Sequence, residues 1–260
     1  MAVPFSSAND RLNSIPDYYR GVHVKTGMIS PAAATYLHAA ILSRLNILLL
    51  GPPAAGTMML ANALGKLLPE NSDNQVLEDT SGNCFFFGSE TTSSISSSYS
   101  PITQKDINVS SPRELHRTLR LMNIPDEGVL EVILTLISRQ ISGITTLQVA
   151  SLSMLSSRVY LMLGLSTAGR QYDLGQVANL LSQAFHIVVE MQVQGHPRYI
   201  TQIGEFTRNL SSQGDNSAPE ISPIFRTDTS SLELKGPLCK SLFEEQFRNS
   251  GINPSIYQSH

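Results

Sequence analysis

Two glycines separated by four residues, at positions 51 and 56, stand between an apolar run and a helix-forming stretch. This is the spacing of the phosphate-binding loop G-x-x-x-x-G-K-[ST], in which backbone amides hold phosphate, the lysine contacts the β- and γ-phosphates and the hydroxyl binds Mg²⁺. Here Thr57 takes the lysine position and Met58 the hydroxyl position. The predicted nucleotide-binding residues, called the glycine loop, are Gly51, Pro52, Pro53, Ala54, Ala55, Gly56, Thr57 and Met58.

The substitutions in this loop weaken catalysis more than binding. Thr57 offers one neutral hydrogen bond, worth about 1 kcal/mol, where a charged donor contributes about 1.5–3 kcal/mol. The thioether of Met58 is a poor ligand for Mg²⁺, which prefers hard oxygen donors. Pro52 and Pro53 lack N–H groups and remove two donors from the anion-binding backbone. We therefore expect ATP and Mg²⁺ to bind weakly or not at all.

Acidic residues near predicted strand ends are the remaining catalytic candidates. Glu131 follows an apolar run and could orient an attacking water, while Glu78 and Asp79 form an acidic pair that could contribute to a metal or water site. Their alternative role is to cap neighbouring helix N-termini. Gln148 has a similar alternative, an ordinary hydrogen-bonded amide at a strand end. No His, Cys, Asp and Glu cluster has the spacing of metal ligands, so no dedicated metal site is predicted.

Composition argues against several functions. The 260 residues include 18 Lys and Arg against 21 Asp and Glu, so direct nucleic-acid binding is not predicted. The two cysteines, Cys84 and Cys239, lie far apart without CxxC spacing, which argues against a disulfide framework or a zinc site. No apolar run approaches the roughly 18 residues of a membrane span, and no signal-peptide pattern opens the chain. The predicted location is the cytoplasm, with a peripheral position at the inner membrane as an extension.

Alternating helices and strands must position these residues. Ser30 and Pro31 predict the N-cap and first turn of a helix over 32–44, which leads into a strand over 46–50 and, after the loop, a helix over 59–68. The pattern then predicts strands over 75–77, 128–132 and 143–147, helices over 112–122, 133–140, 151–165 and 173–184, a hairpin of 187–193 and 198–206, and a terminal helix over 237–250 that stops at Gly251. This alternation predicts an α/β fold, a parallel sheet flanked by helices, with a C-terminal hairpin and helix.

Short motifs follow one another along almost the whole chain. They read RLNIL (44–48), LANAL (60–64), LEDT (77–80), VLEVI (129–133) and TTLQVAS (145–151). This series resembles the ATPase domain of the type II/type IV secretion ATPase family, especially its Tad/Flp pilus and conjugation branch. The matching family motifs are R-x-N-I-L, L-x-N-A-L, I-E-D-T, the Walker B block with G-E-x-R-G, and T-T-x-H-A-N-S.

The resemblance implies a RecA-like P-loop NTPase core. On this basis we expect an N-terminal extension over 1–30, the NTPase-type domain over 31–206, and a C-terminal loop and helix over 207–260 packed on the core. We also expect the chain to lack the N-terminal domain typical of these ATPases. The chain departs from the family at the P-loop Lys and hydroxyl, at the Walker B Gly and Arg, and at the signature His, where Gln148 stands.

These departures favour a catalytically impaired structural or regulatory subunit of a type II/type IV secretion or Tad pilus machine. Family members work as hexamers, so the implied partners are a homo- or hetero-oligomeric ring with family ATPases and the inner-membrane platform proteins. One alternative is an active but slow ATPase, in which Lys66, Arg120 or Arg139 supplies the missing charge. A second alternative is an AAA+ ATPase module, because loops of that class often begin G-P-P.

Overall fold

The described parts of the chain form both helices and strands. The computed structural model describes residues 29–66, 75–78, 84–88, 119–123, 129–138, 142–193, 198–207, 219–228 and 233–258. The described helices are α1 (Pro31–Leu42), α2 (Thr57–Lys66), α3 (Val129–Ile137), α4 (Leu155–Gly164), α5 (Leu174–Ala184) and α6 (Glu244–Asn249). The described strands are β1 (Ile47–Gly51), β2 (Gln75–Glu78), β3 (Cys84–Gly88), β4 (Leu119–Asn123), β5 (Ser142–Gln148), β6 (Ile187–Val193), β7 (Arg198–Phe206), β8 (Ile221–Thr227) and β9 (Leu234–Lys235). None of the described helices is both long and apolar enough to cross a bilayer.

The described strands form one sheet in the order β2-β3-β4-β5-β1-β6-β7-β8-β9. The central strands β4, β5, β1 and β6 are parallel, and the strands on either side of them pair antiparallel. The carboxyl ends of the four parallel strands therefore meet at one edge of the sheet, the carboxyl edge, and their starts define the amino edge. The predicted α/β fold class is confirmed, as is the hairpin formed by β6 and β7.

Core clusters cover both faces of the sheet. The first face carries α1, α2 and α6, and the second face carries α3, α4 and α5. In β1, Ile47 and Leu49 pack into the first-face core, while Leu48 and Leu50 pack into the second-face core. A strand buried on both sides in this way reads as a continuous apolar run. The glycine loop thus leaves the sheet from a strand that is fixed from both sides.

Local capping signals set the starts of two helices as predicted. The Ser30 hydroxyl accepts a hydrogen bond from the Ala33 N–H, and Pro31 occupies the first turn of α1. At α5, Asp173 and Gln176 form a capping box, in which each side chain bonds the other's backbone N–H. These caps satisfy amides that have no partner inside the helix.

The prediction of a strand over 128–132 is wrong, because this segment begins helix α3. The predicted strand-end position of Glu131 is wrong for the same reason, since Glu131 is the third residue of α3. The buried residues of α3 repeat at helical spacing, and Leu134 between them is 46% exposed. They are Val129, Val132, Ile133 and Leu136. Periodicity separates a short apolar helix poorly from a buried strand, which explains the error.

The strand beside β5 comes instead from β4, which overlaps the predicted helix over 112–122. In β4, Asn123 lies opposite Thr146 of β5 in a parallel pairing, and β3 pairs with the other side of β4. Pairing on both sides overrides the local helical pattern. Residues 112–118 of that predicted helix lie outside the described residues.

The C-terminal segment differs from the predicted helix over 237–250. Helix α6 begins only at Glu244, and before it the Leu238 N–H donates to the Ile224 carbonyl of β8 at 2.7 Å. Strands β8 and β9, which continue the sheet beyond the hairpin, were not predicted. The predicted stop is confirmed, since Gly251 has a φ of +76° and follows the last turn of α6.

A buried carboxylate ties this C-terminal segment to the amino edge. Glu205 lies opposite Ile187, the first residue of β6. Its Oε1 accepts hydrogen bonds from the hydroxyls of Tyr36 and Ser241, and its Oε2 accepts one from the Leu242 N–H at 2.6 Å. Burial raises the pKa of Glu205 even though these three donors favour the charged form. The amino edge therefore contains a polar network that belongs to the core.

Candidate functional site

The glycine loop connects β1 to α2 at the carboxyl edge of the sheet. Gly51 is the last residue of β1, and a tight turn follows in which the Ala55 N–H donates to the Pro52 carbonyl at 3.0 Å. The tip of the turn, at Pro53 and Ala54, is exposed. A strand, a short turn and a helix in this order place the helix N-terminus directly at the edge of the sheet.

Helix α2 presents unpaired backbone amides to the loop. Its first intrahelical bond runs from the Leu60 N–H to the Gly56 carbonyl at 2.9 Å. The N–H groups of Thr57, Met58 and Met59 precede this bond and therefore have no acceptor within the helix. With the helix dipole, such amides favour a bound anion such as phosphate.

Steric fit requires glycine at both motif positions. A Cβ on Gly51 would lie 2.6 Å from the Met191 carbonyl oxygen of β6 and 2.8 Å from Cβ of Ala55. Gly56 has a φ of +91°, in the left-handed region that favours glycine. Ala54 also has a positive φ, +69°, which strains a residue that carries a Cβ. The loop backbone therefore depends on glycine at positions 51 and 56 and is strained at Ala54.

Gln148 is the predicted site residue that the structure brings to the loop. It is the last residue of β5 and lies opposite Gly51, and the next residue, Val149, donates its N–H to the Gly51 carbonyl at 3.1 Å. Its side chain is exposed at the carboxyl edge. Gln148 can thus offer a neutral amide beside the loop, where the resembling family has a histidine.

One of the predicted acidic residues, Glu78, lies far from the loop in the sheet. Glu78 ends β2, the outer strand, and three strands separate β2 from β1. At about 4.8 Å per strand this is a separation of about 19 Å. Asp79 lies outside the described residues. Glu131 belongs to the first turn of α3. The helix dipole favours an acidic residue at such a position.

The candidates for a replacement charge are also distant or undescribed. Lys66 is the last residue of α2, about 14 Å along the helix axis from Thr57. Arg120 lies in β4, two strands away from β1, and Arg139 lies outside the described residues.

Arg198 is a cation near the loop that the sequence reasoning missed. It opens β7, and its guanidinium NH1 lies 3.7 Å from Sδ of Met59 in the first turn of α2. The predicted hairpin could have indicated this position. If its first strand, 187–193, runs parallel to the strand before the loop, its second strand must begin at the carboxyl edge, and Arg198 is the first residue of that second strand.

The donors around the loop do not fit Mg²⁺. The described residues contain no group of three His, Cys, Asp or Glu that could hold a metal ion. The residue at the hydroxyl position, Met58, carries a thioether, and Mg²⁺ prefers oxygen. The arrangement can therefore offer phosphate a set of backbone amides, while the described residues give a divalent ion no cluster of three such side chains.

Comparisons with known proteins found one family match and one similar solved structure to report. Residues 28–107, which include the glycine loop and α2, match the family "Magnesium chelatase, subunit ChlI". This match covers less than half of the chain. No curated protein matches the sequence.

Among solved structures, the chain is similar to the VirB11 ATPase from the Brucella suis type IV secretion system, solved in complex with sulphate. The TM-score is 0.49 at 15% sequence identity, and the match covers 79% of this chain. The chain spans 60% of the length of that protein. The likeness concerns the fold alone.

Proposed function

We propose that this chain is an ATPase-like subunit of a type II/type IV secretion or Tad pilus machine, in which the glycine loop binds nucleotide weakly and hydrolysis is impaired. The observation that carries the proposal is the β1–loop–α2 connection. Its backbone keeps the two glycines that the geometry requires and the open amides of α2, while Thr57 and Met58 replace the charged chemistry.

Binding and catalysis depend on different parts of such a loop. Backbone amides and the helix dipole stabilise a bound phosphate in the ground state. Hydrolysis requires stronger interactions in the transition state, where negative charge develops on the phosphoryl oxygens and a cation must neutralise it. Thr57 carries no charge, so the loss should be larger for turnover than for affinity.

A structural role in an assembly is the second part of the proposal. Large apolar side chains are exposed on α4 and at the residue that follows it, with Leu161 63% and Leu165 59% exposed. Apolar side chains grouped in this way on a surface helix are typical of contact surfaces. We propose that the chain occupies a homo- or hetero-oligomeric ring with active secretion ATPases, next to inner-membrane platform proteins.

Nucleotide binding tests the first part directly. The purified chain is titrated with ATP by calorimetry, with and without Mg²⁺, and phosphate release is measured in parallel. The informative variant is Thr57→Asp. The helix dipole favours an acid at the first position of α2, so the fold should be kept, while the negative charge repels phosphate. Its matched control is Ser157→Asp, an exposed first-turn position of α4 on the other face of the sheet.

The expected result is weak ATP binding that Thr57→Asp abolishes and Ser157→Asp leaves unchanged, with no measurable turnover. Equal binding by both variants would place the nucleotide elsewhere. An absence of binding by the unaltered protein would reject the loop as a nucleotide site and leave the structural role, which co-purification with an active secretion ATPase tests.

The match of residues 28–107 to the magnesium chelatase subunit ChlI family supports a second candidate, an active AAA+-type ATPase module. Mg²⁺-dependent phosphate release by the unaltered protein, abolished by Glu131→Gln, would favour an active enzyme over an impaired one.

A further inference from the structure

Arg198 lies at the rim of the glycine loop. Its guanidinium NH1 is 3.7 Å from Sδ of Met59, and its side chain is exposed. Met59 belongs to the first turn of α2, and helical side chains lean toward the helix N-terminus. The guanidinium in contact with that sulfur is therefore at the end of α2 that carries the open amides of Thr57 and Met58.

The sheet directs Arg198 to the same face as α2. Ile200 packs into the first-face core, and Arg198, two residues earlier on β7, points to that face because side chains alternate along a strand. The neighbouring carboxylate of Glu190 is held on the second face, where it accepts hydrogen bonds from the Leu152 N–H and the Thr201 hydroxyl, both at 2.8 Å. Glu190 therefore does not offset the charge of Arg198.

The charge of Arg198 is not paired with a carboxylate in the described parts of the chain. The ion pairs found there involve Lys235, Lys240 and Arg248. A guanidinium presents several N–H donors in a planar fork that matches two phosphate oxygens, and it stays charged at any pH near neutrality. Of these properties, the permanent positive charge is the one that Thr57 does not supply at the lysine position of the motif.

We propose that Arg198 supplies the positive charge of the glycine loop in place of the missing lysine, and that the ligand class it selects is the terminal phosphates of a nucleoside triphosphate, bound without a divalent ion. The inference rests on the proposed nucleotide binding. Because the charge comes from the hairpin rather than from α2, binding connects β7 to the loop across β1 and β6.

The test is a calorimetric titration in the presence of EDTA, with ATP and inorganic triphosphate as probes. Arg198→Ala is expected to raise the Kd for both probes about tenfold, as expected for a charged hydrogen bond. Arg198→Lys should restore part of the affinity. The matched control is Arg226→Ala, which removes an exposed arginine of β8 that bonds Gln202 Oε1 at 3.2 Å, one strand further from the loop.

The salt dependence provides a second readout. The affinity of the unaltered protein should fall more steeply with ionic strength than that of Arg198→Ala, because the variant makes one charge contact fewer. A role of Arg198 in packing against Met59 alone would not change this slope.

Two results overturn the inference in distinguishable ways. Binding by the unaltered protein that Arg198→Ala leaves unchanged, or that Arg226→Ala weakens equally, rejects Arg198 as the cation and keeps the proposed function. No binding of either probe by the unaltered protein rejects both the inference about Arg198 and the proposed nucleotide binding. Thermal unfolding of each variant at the same temperature as the unaltered chain confirms that the fold is intact.

Discussion

The polar groups at the carboxyl edge of the sheet are open, whereas those at the amino edge are buried and hydrogen-bonded. At the carboxyl edge, the glycine loop is partly exposed, and the α2 amides have no acceptor within the helix. At the amino edge, Glu205 is fully buried and accepts three hydrogen bonds from α1 and the C-terminal segment. The comparison indicates that residues at the carboxyl edge can change chemistry at small cost to the fold, while those at the amino edge determine stability.

The largest expected effect is at the amino edge. Phe247 of α6 is fully buried and packs edge-on against Tyr36 and Tyr257. Phe247→Ala should lower the free energy of unfolding by about 3–5 kcal/mol, because it removes a large buried side chain and leaves a cavity. Urea unfolding measures the change. The control Met59→Ala, at a position 38% exposed beside the glycine loop, should cost less than about 1 kcal/mol. Equal losses would remove the contrast between the two edges.

The second largest effect is expected when the missing charge and hydroxyl are restored at the carboxyl edge. The double variant Thr57→Lys, Met58→Thr supplies the charge and the hydroxyl oxygen that the motif requires. It should tighten ATP binding in the presence of Mg²⁺ at least about tenfold, with little change in unfolding free energy. Calorimetry measures the affinity. The single variant Met58→Thr is the control, since it adds the hydroxyl without the charge. An unchanged affinity in the double variant would mean that the loop backbone does not hold phosphate.

The third prediction concerns pH at the amino edge. Burial raises the pKa of Glu205 above its ordinary value of 4.5, so its contribution to stability is complete below that value and is lost as pH rises through the raised folded pKa. Glu205→Gln does not titrate. The stability of the unaltered protein should therefore fall more steeply with rising pH than that of the variant.

Urea unfolding of both proteins, repeated between about pH 4 and about pH 8, measures this difference. Glu245→Gln, at an exposed position of α6, is the control and should follow the unaltered protein. Parallel curves for Glu205→Gln and the unaltered protein would show that the carboxylate does not titrate in this way.

The smallest effect is a gain in stability within the loop. Ala54 has a φ of +69°, so Ala54→Gly relieves strain and should raise the unfolding free energy by about 0.5–1 kcal/mol. The neighbouring Ala55 is buried and its φ is not positive, so Ala55→Gly should have the opposite sign. Thermal unfolding compares the two variants. Losses in both would indicate that the turn is not strained at Ala54.

Features with local signals were predictable from the sequence. The cap at Ser30, the glycine loop between a strand and a helix, and the β6–β7 hairpin follow from neighbouring residues, and the structure contains all three. Glycine spacing, capping residues and periodicity act over a few residues, so the sequence displays them directly.

Features decided by distant pairing were not predictable in this way. The sequence predicts a strand at 128–132, but the strand between β3 and β5 is β4. Which segment takes that place depends on pairing with both neighbours. The distance of Glu78 from the loop depends on strand order, since its nearness to α2 in the sequence does not carry into the sheet. Arg198 meets Met59 although 139 positions separate them. Strand order brings such residues together, and a single sequence does not display it.

The close approach of Gly51 to the Met191 carbonyl has a consequence for how such motifs are recognised. Here the glycine is required by the packing of β1 against β6, whether or not any ligand is ever bound. A glycine at position 51 therefore reports on how these two strands pack. Its presence in a sequence is by itself no evidence that a ligand binds beside it.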